Sequence, residues 1–150
     1  MSKTTSPWNT KLDYDLGYLI YRAASTLKAA MQRSFLEHGL TITPIQWTIL
    51  QKLTENQSLS QVELATMLEK DRPNITRIIN VMEKNSLVLR EADSKDGRKF
   101  LITLTKKGRE TWEIARSVSL SIREKALSNF SEEELELVRG KIIQLTNDLK

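Results

Sequence analysis

The stretch LSQVELATMLEKDRPNITRIINVMEKNSLV, residues 59–88, decides how this chain folds. In its first part Ser60 can cap a helix, and Glu63 three residues later completes a capping box ahead of an apolar run. In its second part Asp71 is a suitable N-cap, and Pro73 falls in the first turn, where backbone N–H groups lack helical partners. The spacing therefore predicts two short helices joined by a tight turn.

The second of these helices separates apolar from polar side chains. Four apolar residues recur at helical spacing and are predicted to face the core, namely Ile75, Ile78, Ile79 and Met82. Five polar or basic residues are left off that face, namely Arg72, Asn74, Thr76, Arg77 and Asn80. After them, Asn85 can adopt the left-handed conformation that ends a helix.

A β-hairpin is predicted after the second helix, with strands near 87–91 and 99–104. Phe100, Ile102 and Leu104 alternate along the second strand, so one face is expected to pack on the core. The tip has no apolar residue and carries three cations, namely Lys95, Arg98 and Lys99. Helix, turn, helix and hairpin are typical of a winged helix-turn-helix. Its second helix can enter a major groove, and its hairpin can follow the DNA backbone or reach the minor groove.

Positive charge is concentrated in the same part of the chain. The 150 residues carry a net charge of +4. Residues 70–108 hold ten Lys or Arg against five Asp or Glu, a local net charge of +5, and the remainder has a net charge of −1. A localised basic patch is a common footprint of polyanion binding, although a solvated surface has the same composition.

Further helices are predicted on both sides of this region. Upstream, residues 13–38 show helical spacing of apolar side chains and are followed by Gly39, a usual helix stop. The next helix begins with a capping box of Thr43 and Gln46, and Pro44 suits its first position.

Two helices are predicted after the hairpin, the first near 106–127. The second begins with a capping box of Ser131 and Glu134. It carries apolar residues at alternating spacings of three and four, namely Leu135, Val138, Ile142, Leu145 and Leu149. Such a stripe can serve an intramolecular core or a partner helix.

Several classes of function are not expected. The chain has no cysteine and one histidine, His38 beside Glu37. It has no Gly-rich phosphate loop or serine-nucleophile motif, so neither an enzyme, a metal site nor a cofactor is predicted. The N-terminal MSKTTSPWNTK has no apolar run, and no stretch approaches the roughly 20 apolar residues of a membrane helix, so neither a secretory signal nor a membrane partner is expected. The lack of cysteine fits a reducing cytoplasm, where we expect the protein to act.

From about residue 13 to residue 149, the order of these elements resembles the MarR family of bacterial transcription regulators. The resemblance rests on GLTITPIQWTIL at 39–50, the stretch at 59–88 and DGRKFLITLTKKG at 96–108. The last is similar to the family's wing pattern of Asp-x-Arg, apolar strand residues and Leu-Thr-x-x-Gly, here at Asp96, Arg98, Leu104, Thr105 and Gly108. Two departures are Ser86, where the family often has Gly, and Pro73.

The resemblance implies a mainly α fold with a small β-hairpin wing (α+β). A winged helix-turn-helix lobe is expected at 40–108, and a helical dimerisation lobe at 13–38 and 109–149. The resemblance makes 59–69 the supporting helix and 71–85 the recognition helix. It further implies a homodimer on an approximate DNA palindrome, usually a repressor.

Two sets of site residues are predicted, one for DNA binding and one for dimerisation. The predicted DNA contacts are Arg72, Asn74, Thr76, Arg77, Asn80, Lys95, Arg98 and Lys99. The predicted dimer contacts are Leu16, Leu135, Val138, Ile142, Leu145 and Leu149. The resemblance also suggests that Asp96 orients Arg77 or Arg98 by an ion pair.

Many members of this family release DNA on binding small aromatic anions, often in a cleft between the DNA-binding lobe and the dimer helices. A pocket for such an effector can use Tyr18, Tyr21, Arg22 and Trp47, although aromatic residues at helical spacing also pack in cores and interfaces. The alternative function is a winged-helix module for protein assembly without specific DNA binding. Such modules lack a basic recognition face, whereas this chain carries Arg72, Arg77, Arg98 and Lys99.

Overall fold

A computed structural model of the chain describes residues 11–12, 15–94, 96–97 and 99–150. Over these residues it contains six α-helices and a sheet of three short strands, which confirms the predicted mainly α fold with a small β wing. In chain order the elements are α1 (Leu16–Glu37), α2 (Pro44–Asn56), β1 (Ser58–Ser60), α3 (Gln61–Met67), α4 (Arg72–Lys84), β2 (Val88–Ala92), β3 (Phe100–Leu104), α5 (Lys106–Leu127) and α6 (Glu132–Asp148). None of the helices in the described ranges is long and apolar enough to cross a bilayer.

The helix starts predicted from capping residues are confirmed, whereas α1, predicted over 13–38, begins at Leu16 because Asp15 caps it. The capping boxes of α2, α3 and α6 are all formed, by Thr43 with Gln46, Ser60 with Glu63, and Ser131 with Glu134. The Asp71 carboxylate accepts the Asn74 N–H at 2.8 Å and caps α4. Each cap satisfies backbone donors that the first helical turn leaves unpaired and stabilises its helix by about 1 kcal/mol.

The end of α4 differs from the prediction by one residue. Asn85 has φ −85°, so it is not left-handed. The left-handed residue is Ser86, with φ 59°. The Leu87 N–H donates to the Met82 carbonyl and the Ser86 N–H to the Glu83 carbonyl, both at 2.9 Å. This is the Schellman pattern, which needs its left-handed residue one position after the C-cap.

The sheet contains one strand more than predicted. Its order is β1-β3-β2, and both pairings are antiparallel. Ile102 lies at its centre, opposite Leu59 on one side and Arg90 on the other, and is fully buried. Phe100, predicted to share the buried face with Ile102, is 54% exposed, because it pairs with Ala92 at the end of the hairpin away from the core.

The start of α5 is packed tightly against the segment that follows α4. The Thr105 hydroxyl donates to the Ser86 carbonyl at 2.6 Å and accepts the Gly108 N–H at 2.8 Å. A Cβ atom at Gly108 would lie 1.9 Å from the Leu87 carbonyl oxygen. The Leu-Thr-x-x-Gly motif therefore has a structural reason: threonine joins the two segments, and only glycine fits the close approach.

The chain forms two compact units, Met1–Val118 and Ser119–Lys150. The core of the first is made by large, fully buried side chains, namely Phe35, Ile49, Leu50, Leu53, Leu64, Ile75, Ile79, Met82, Val88 and Ile102. In the second unit, α6 has no buried residue. The predicted division into DNA-binding and dimerisation lobes concerns a dimer and stays a prediction.

Candidate nucleic-acid interface

One face of α4 is polar and turned to solvent. The opposite face holds the helix in place through Ile75, Ile79 and Met82, which are all fully buried. Because that face is fixed, four of the predicted DNA contacts are exposed and one is half-buried. The exposed residues are Arg72, Thr76, Arg77 and Asn80, and the half-buried one is Asn74.

Two polar residues of this face are held by side chains from outside α4. The Thr76 hydroxyl donates to Gln61 Oε1 at 2.7 Å, at the start of α3. Asn80 Oδ1 accepts from Arg90 Nη2 at 2.5 Å, and Arg90 also pairs with Glu83. The sequence gives no signal for these supports, because they depend on how α3 and β2 lie against α4.

Two arginines of α4 are available to an external anion. Within the described ranges neither Arg72 nor Arg77 forms an ion pair, so each guanidinium can contact phosphate or a base edge. Asp96 lies 4.0 Å from the Lys99 ammonium, and its expected pairing with Arg77 is not formed. Lys95 and Arg98 lie outside the described residues, and so does the alternative pairing of Asp96 with Arg98.

A cleft of about 730 Å³ separates α3 and α4 from the wing, and Arg72, Thr76 and Lys99 line it. Glu63 also lines this cleft. The Ser60 backbone N–H and hydroxyl both donate to its carboxylate, at 2.7 Å each, and lower the pKa of Glu63 below its usual 4.5. Two donated hydrogen bonds favour the charged form, so this carboxylate stays ionised beside the basic groups.

The four residues predicted for an effector do not meet in one place. The Arg22 guanidinium lies 5.7 Å from the centre of the Tyr18 ring, and Tyr21 is 70% exposed. Trp47 instead lines a second cleft, of about 450 Å³, which is bounded by α1, α2 and the start of α4. The other residues of this cleft include Leu27, Lys28, Met31, Lys70, Asn74 and Ile78. Trp47 Nε1 is buried and has no hydrogen-bond partner among the described residues.

The predicted dimer residues are accessible in the single chain. Leu16 of α1 is 63% exposed. On α6, Leu135 is half-buried, and the other four residues of the stripe are exposed, namely Val138, Ile142, Leu145 and Leu149. The stripe therefore lacks full burial within its own chain.

Comparison with known proteins identifies a family model, two curated relatives and a solved structure. The model described as the MarR family matches residues 42–100. The organic hydroperoxide resistance transcriptional regulator of Bacillus subtilis is 30% identical over 139 residues, which cover 93% of this chain and 92% of the relative. The transcriptional activatory protein BadR of Rhodopseudomonas palustris is 34% identical over 102 residues, 66% of this chain and 57% of BadR. A crystal structure of a probable transcriptional regulator from Pseudomonas aeruginosa has 29% identity and a TM-score of 0.81, and the match covers 90% of this chain and 99% of that one.

Coverage differs among the relatives. The chain spans less than two thirds of BadR and of a further curated regulator, 57% and 63% of their lengths. The relatives are transcription regulators rather than enzymes, in agreement with the prediction that this chain is not an enzyme.

Proposed function

The chain belongs to the MarR family of transcription regulators, and on that premise we propose that it is a repressor that binds a pseudo-palindromic operator as a homodimer. In this proposal residues 40–108 form the DNA-binding lobe, and residues 13–38 with 109–149 form the dimerisation lobe. The protein acts in the cytoplasm, where its operator is accessible. Its DNA contacts are those predicted above, including Lys95 and Arg98 at the wing.

The observation that carries this proposal is the exposed polar face of α4. Its arginines have no ion pair within the described ranges, and its Thr76 and Asn80 are held in place by Gln61 and Arg90. Major-groove reading requires side chains of this kind on one face of a supported helix. Two solved structures of the same fold support the proposal: MepR from Staphylococcus aureus in complex with DNA, and a mutant MarR from Escherichia coli in complex with operator DNA.

The geometry of DNA supports the proposed homodimer. One winged helix reads a half-site, and two-fold symmetry places a second recognition helix about 34–36 Å away, one helical turn along the duplex. The incompletely buried stripe of α6, with Leu16 of α1, supplies apolar surface for the interface. Repression is supported by a curated relative from Mycobacterium tuberculosis, 29% identical, that is named as a transcriptional repressor.

We place a small aromatic anion in the cleft beside Trp47. The cleft combines apolar walls, two lysines (Lys28 and Lys70) and a buried indole N–H that has no partner among the described residues. Asn74 also lines it, so an occupant contacts the first turn of the recognition helix. The solved CouR from Rhodococcus jostii is bound to p-coumaroyl-CoA, which carries an aromatic group and anionic phosphates.

Selection of bound sequences from a random duplex pool tests the central proposal. We expect a two-fold symmetric motif and an affinity that falls steeply with salt, by about 0.9 in log K per tenfold change in salt for each phosphate neutralised. Selection that enriches no sequence, or an affinity that is flat with salt, would instead favour the protein-assembly module.

Adding salicylate as the probe anion to the complex of the protein with DNA tests the proposed effector site. We expect release of DNA from the parent chain and a weaker response from Lys70→Ala.

A further inference from the structure

Arg90 connects the wing to the recognition helix, although it lies on neither the exposed face of α4 nor the tip. It stands in the middle of β2, opposite the buried Ile102, and this pairing fixes the position of its backbone. Its guanidinium reaches two successive turns of α4. Nη1 donates to the Glu83 carboxylate, and Nη2 donates to Asn80 Oδ1 at 2.5 Å. The Arg90 side chain is 21% exposed, so the link is partly shielded from water.

This contact determines which end of the Asn80 amide faces the DNA. A guanidinium only donates hydrogen bonds, so only the carbonyl oxygen of Asn80 can face Arg90. The two ends of an amide point in different directions, and the NH₂ group is therefore turned away from Arg90. Glu83 holds the same guanidinium from the neighbouring turn and keeps it in place.

The orientation has a consequence for base reading. An unconstrained asparagine reads adenine with both ends, accepting from N6 and donating to N7. One lone pair of the oxygen accepts from Arg90, and the amide is thereby held with its two NH₂ donors turned away from Arg90 and free to face a base. Donors match the acceptors O6 and N7 of guanine, O4 of thymine or N7 of adenine. Bidentate recognition of adenine, which needs the oxygen and the NH₂ turned together toward one base, is then disfavoured.

We propose that Arg90 is a positioning residue that fixes Asn80 as a hydrogen-bond donor and thereby sets the base preference at one position of each half-site. This inference rests on the proposed function, because it requires α4 to read bases. It assigns to a wing strand a role in sequence preference that is separate from the wing's own contacts with DNA.

The test compares binding profiles over all single-base variants of the selected operator. Arg90→Met keeps an unbranched stem and removes every donor, whereas Arg90→Lys keeps a donor. Asn80→Ala identifies the position that Asn80 reads. At that position we expect Arg90→Met to change the relative affinity for adenine by about 5-fold or more, and to leave the preferences elsewhere unchanged. Arg90→Lys should restore the parent preference.

Two combined variants complete the experiment. In the Asn80→Ala background, Arg90→Met should cause no further change in the profile, because the amide it orients is gone. If Arg90→Met alone does not fold by circular dichroism, Arg90→Met with Glu83→Gln leaves no unpaired charge and takes its place.

The outcomes separate the two proposals. If Arg90→Met lowers affinity equally for all operator variants, Arg90 has only a structural role and the inference is wrong. If the parent chain has no sequence preference, the proposed function fails and the inference fails with it.

Discussion

The helices α4 and α6 begin alike and end up in different environments. Both are capped by a side chain, Asp71 for α4 and Ser131 for α6. Helix α4 buries Ile75, Ile79 and Met82 within its own chain, whereas α6 has no buried residue despite its regular apolar stripe. Periodicity therefore predicts a helix but not what covers its apolar face. The apolar face of α4 is covered by its own lobe, and we propose that the apolar stripe of α6 is covered by a second copy of the chain.

The largest expected effect comes from a charge on the stripe of α6. Ile142 is 46% exposed in the single chain, so Ile142→Asp should leave the protomer folded. On association the carboxylate would be buried without a partner, at a cost of about 3–5 kcal/mol. We expect sedimentation at micromolar concentration to show a dimer for the parent and a monomer for the variant, with operator affinity reduced roughly 100-fold or more.

Gln144→Asp is the matched control, because this exposed residue of α6 lies outside the stripe. It should sediment as the parent does. A parent chain that is monomeric at micromolar concentration and still binds a palindrome tightly would contradict the dimer.

A second experiment replaces glycine by alanine at two positions, one at the start of α5 beside the end of α4 and one on α6. Gly108→Ala forces a Cβ to 1.9 Å from the Leu87 carbonyl oxygen, beside the end of α4. We expect the free energy of unfolding to fall by about 1–3 kcal/mol or more. Gly140→Ala on α6 meets nothing within 4 Å in its own chain and should raise it by about 0.5–1 kcal/mol, as alanine does in a helix. Chemical denaturation measures both. Weaker dimerisation of Gly140→Ala would instead show that the partner approaches closely at this position.

Arg77 of α4 and Arg98, predicted at the wing tip, are expected to do different work. Arg77→Ala should relax the preference at particular base pairs by roughly 1–3 kcal/mol, since Arg77 is exposed on α4. Arg98→Ala should lower affinity for all sequences alike and reduce the salt slope by about 1, as the loss of a phosphate contact does. Titrations of operator variants at several salt concentrations distinguish the two. If neither substitution changes affinity, α4 and the wing do not form the DNA surface.

A smaller effect is expected at the end of α4. Ser86 has φ 59°, a conformation that costs a side-chain-bearing residue about 1–2 kcal/mol. Ser86→Gly should therefore raise the melting temperature, with a gain of roughly 1 kcal/mol in the free energy of unfolding. Asn85→Gly is the control, because φ at Asn85 is −85° and glycine there only adds flexibility to the unfolded chain. If Asn85→Gly stabilises more than Ser86→Gly, the helix ends elsewhere in solution.

The smallest effect concerns pH. Hydrogen bonds from Ser60 lower the pKa of Glu63 below its usual value of 4.5. A lowered folded pKa means that this stabilisation is fully present above about pH 4.5 and is lost as the pH falls through the folded pKa. We expect Glu63→Gln to lose less stability than the parent as the pH falls from about 4.5 through the folded pKa of Glu63. Because Glu63 is exposed, the difference should stay below about 1 kcal/mol.

Local patterns explain what the sequence could predict. The capping boxes connect residues three apart, so Ser60 with Glu63 and Thr43 with Gln46 are visible without any tertiary information. The sequence does not predict β1, because the three residues Ser58–Ser60 are too few to show a strand pattern, and the strand forms only by pairing with β3, which lies some 40 residues later. Residue type alone predicts the left-handed conformation at Asn85. The positions of the two Schellman hydrogen bonds place it at Ser86 instead.

In the candidate site, too, local patterns are predictable from the sequence and tertiary contacts are not. The polar face of α4 was predicted correctly as exposed, apart from the half-buried Asn74, because helical spacing places it opposite the apolar face. The supports of that face, Gln61 and Arg90, were not predicted, since they reach α4 from other elements. As aromatic residues, Trp47, Tyr18 and Tyr21 are predicted to share one pocket, and the packing of α1 on α2 places Trp47 in a cleft that the two tyrosines do not line.

The central place of β3 in the sheet bears on how such a protein can change over evolution. Ile102 is paired on both sides, and a shift of β3 by one residue would turn Ile102 outward and break both pairings at once. An inserted residue within β3 would therefore disrupt the sheet on both sides. The loop between Ala92 and Phe100 contributes no residue to the register of the three strands, so a change in its length leaves that register intact. Lineages can thus lengthen or shorten the reach of the wing along DNA while the framework that holds the recognition helix is inherited unchanged.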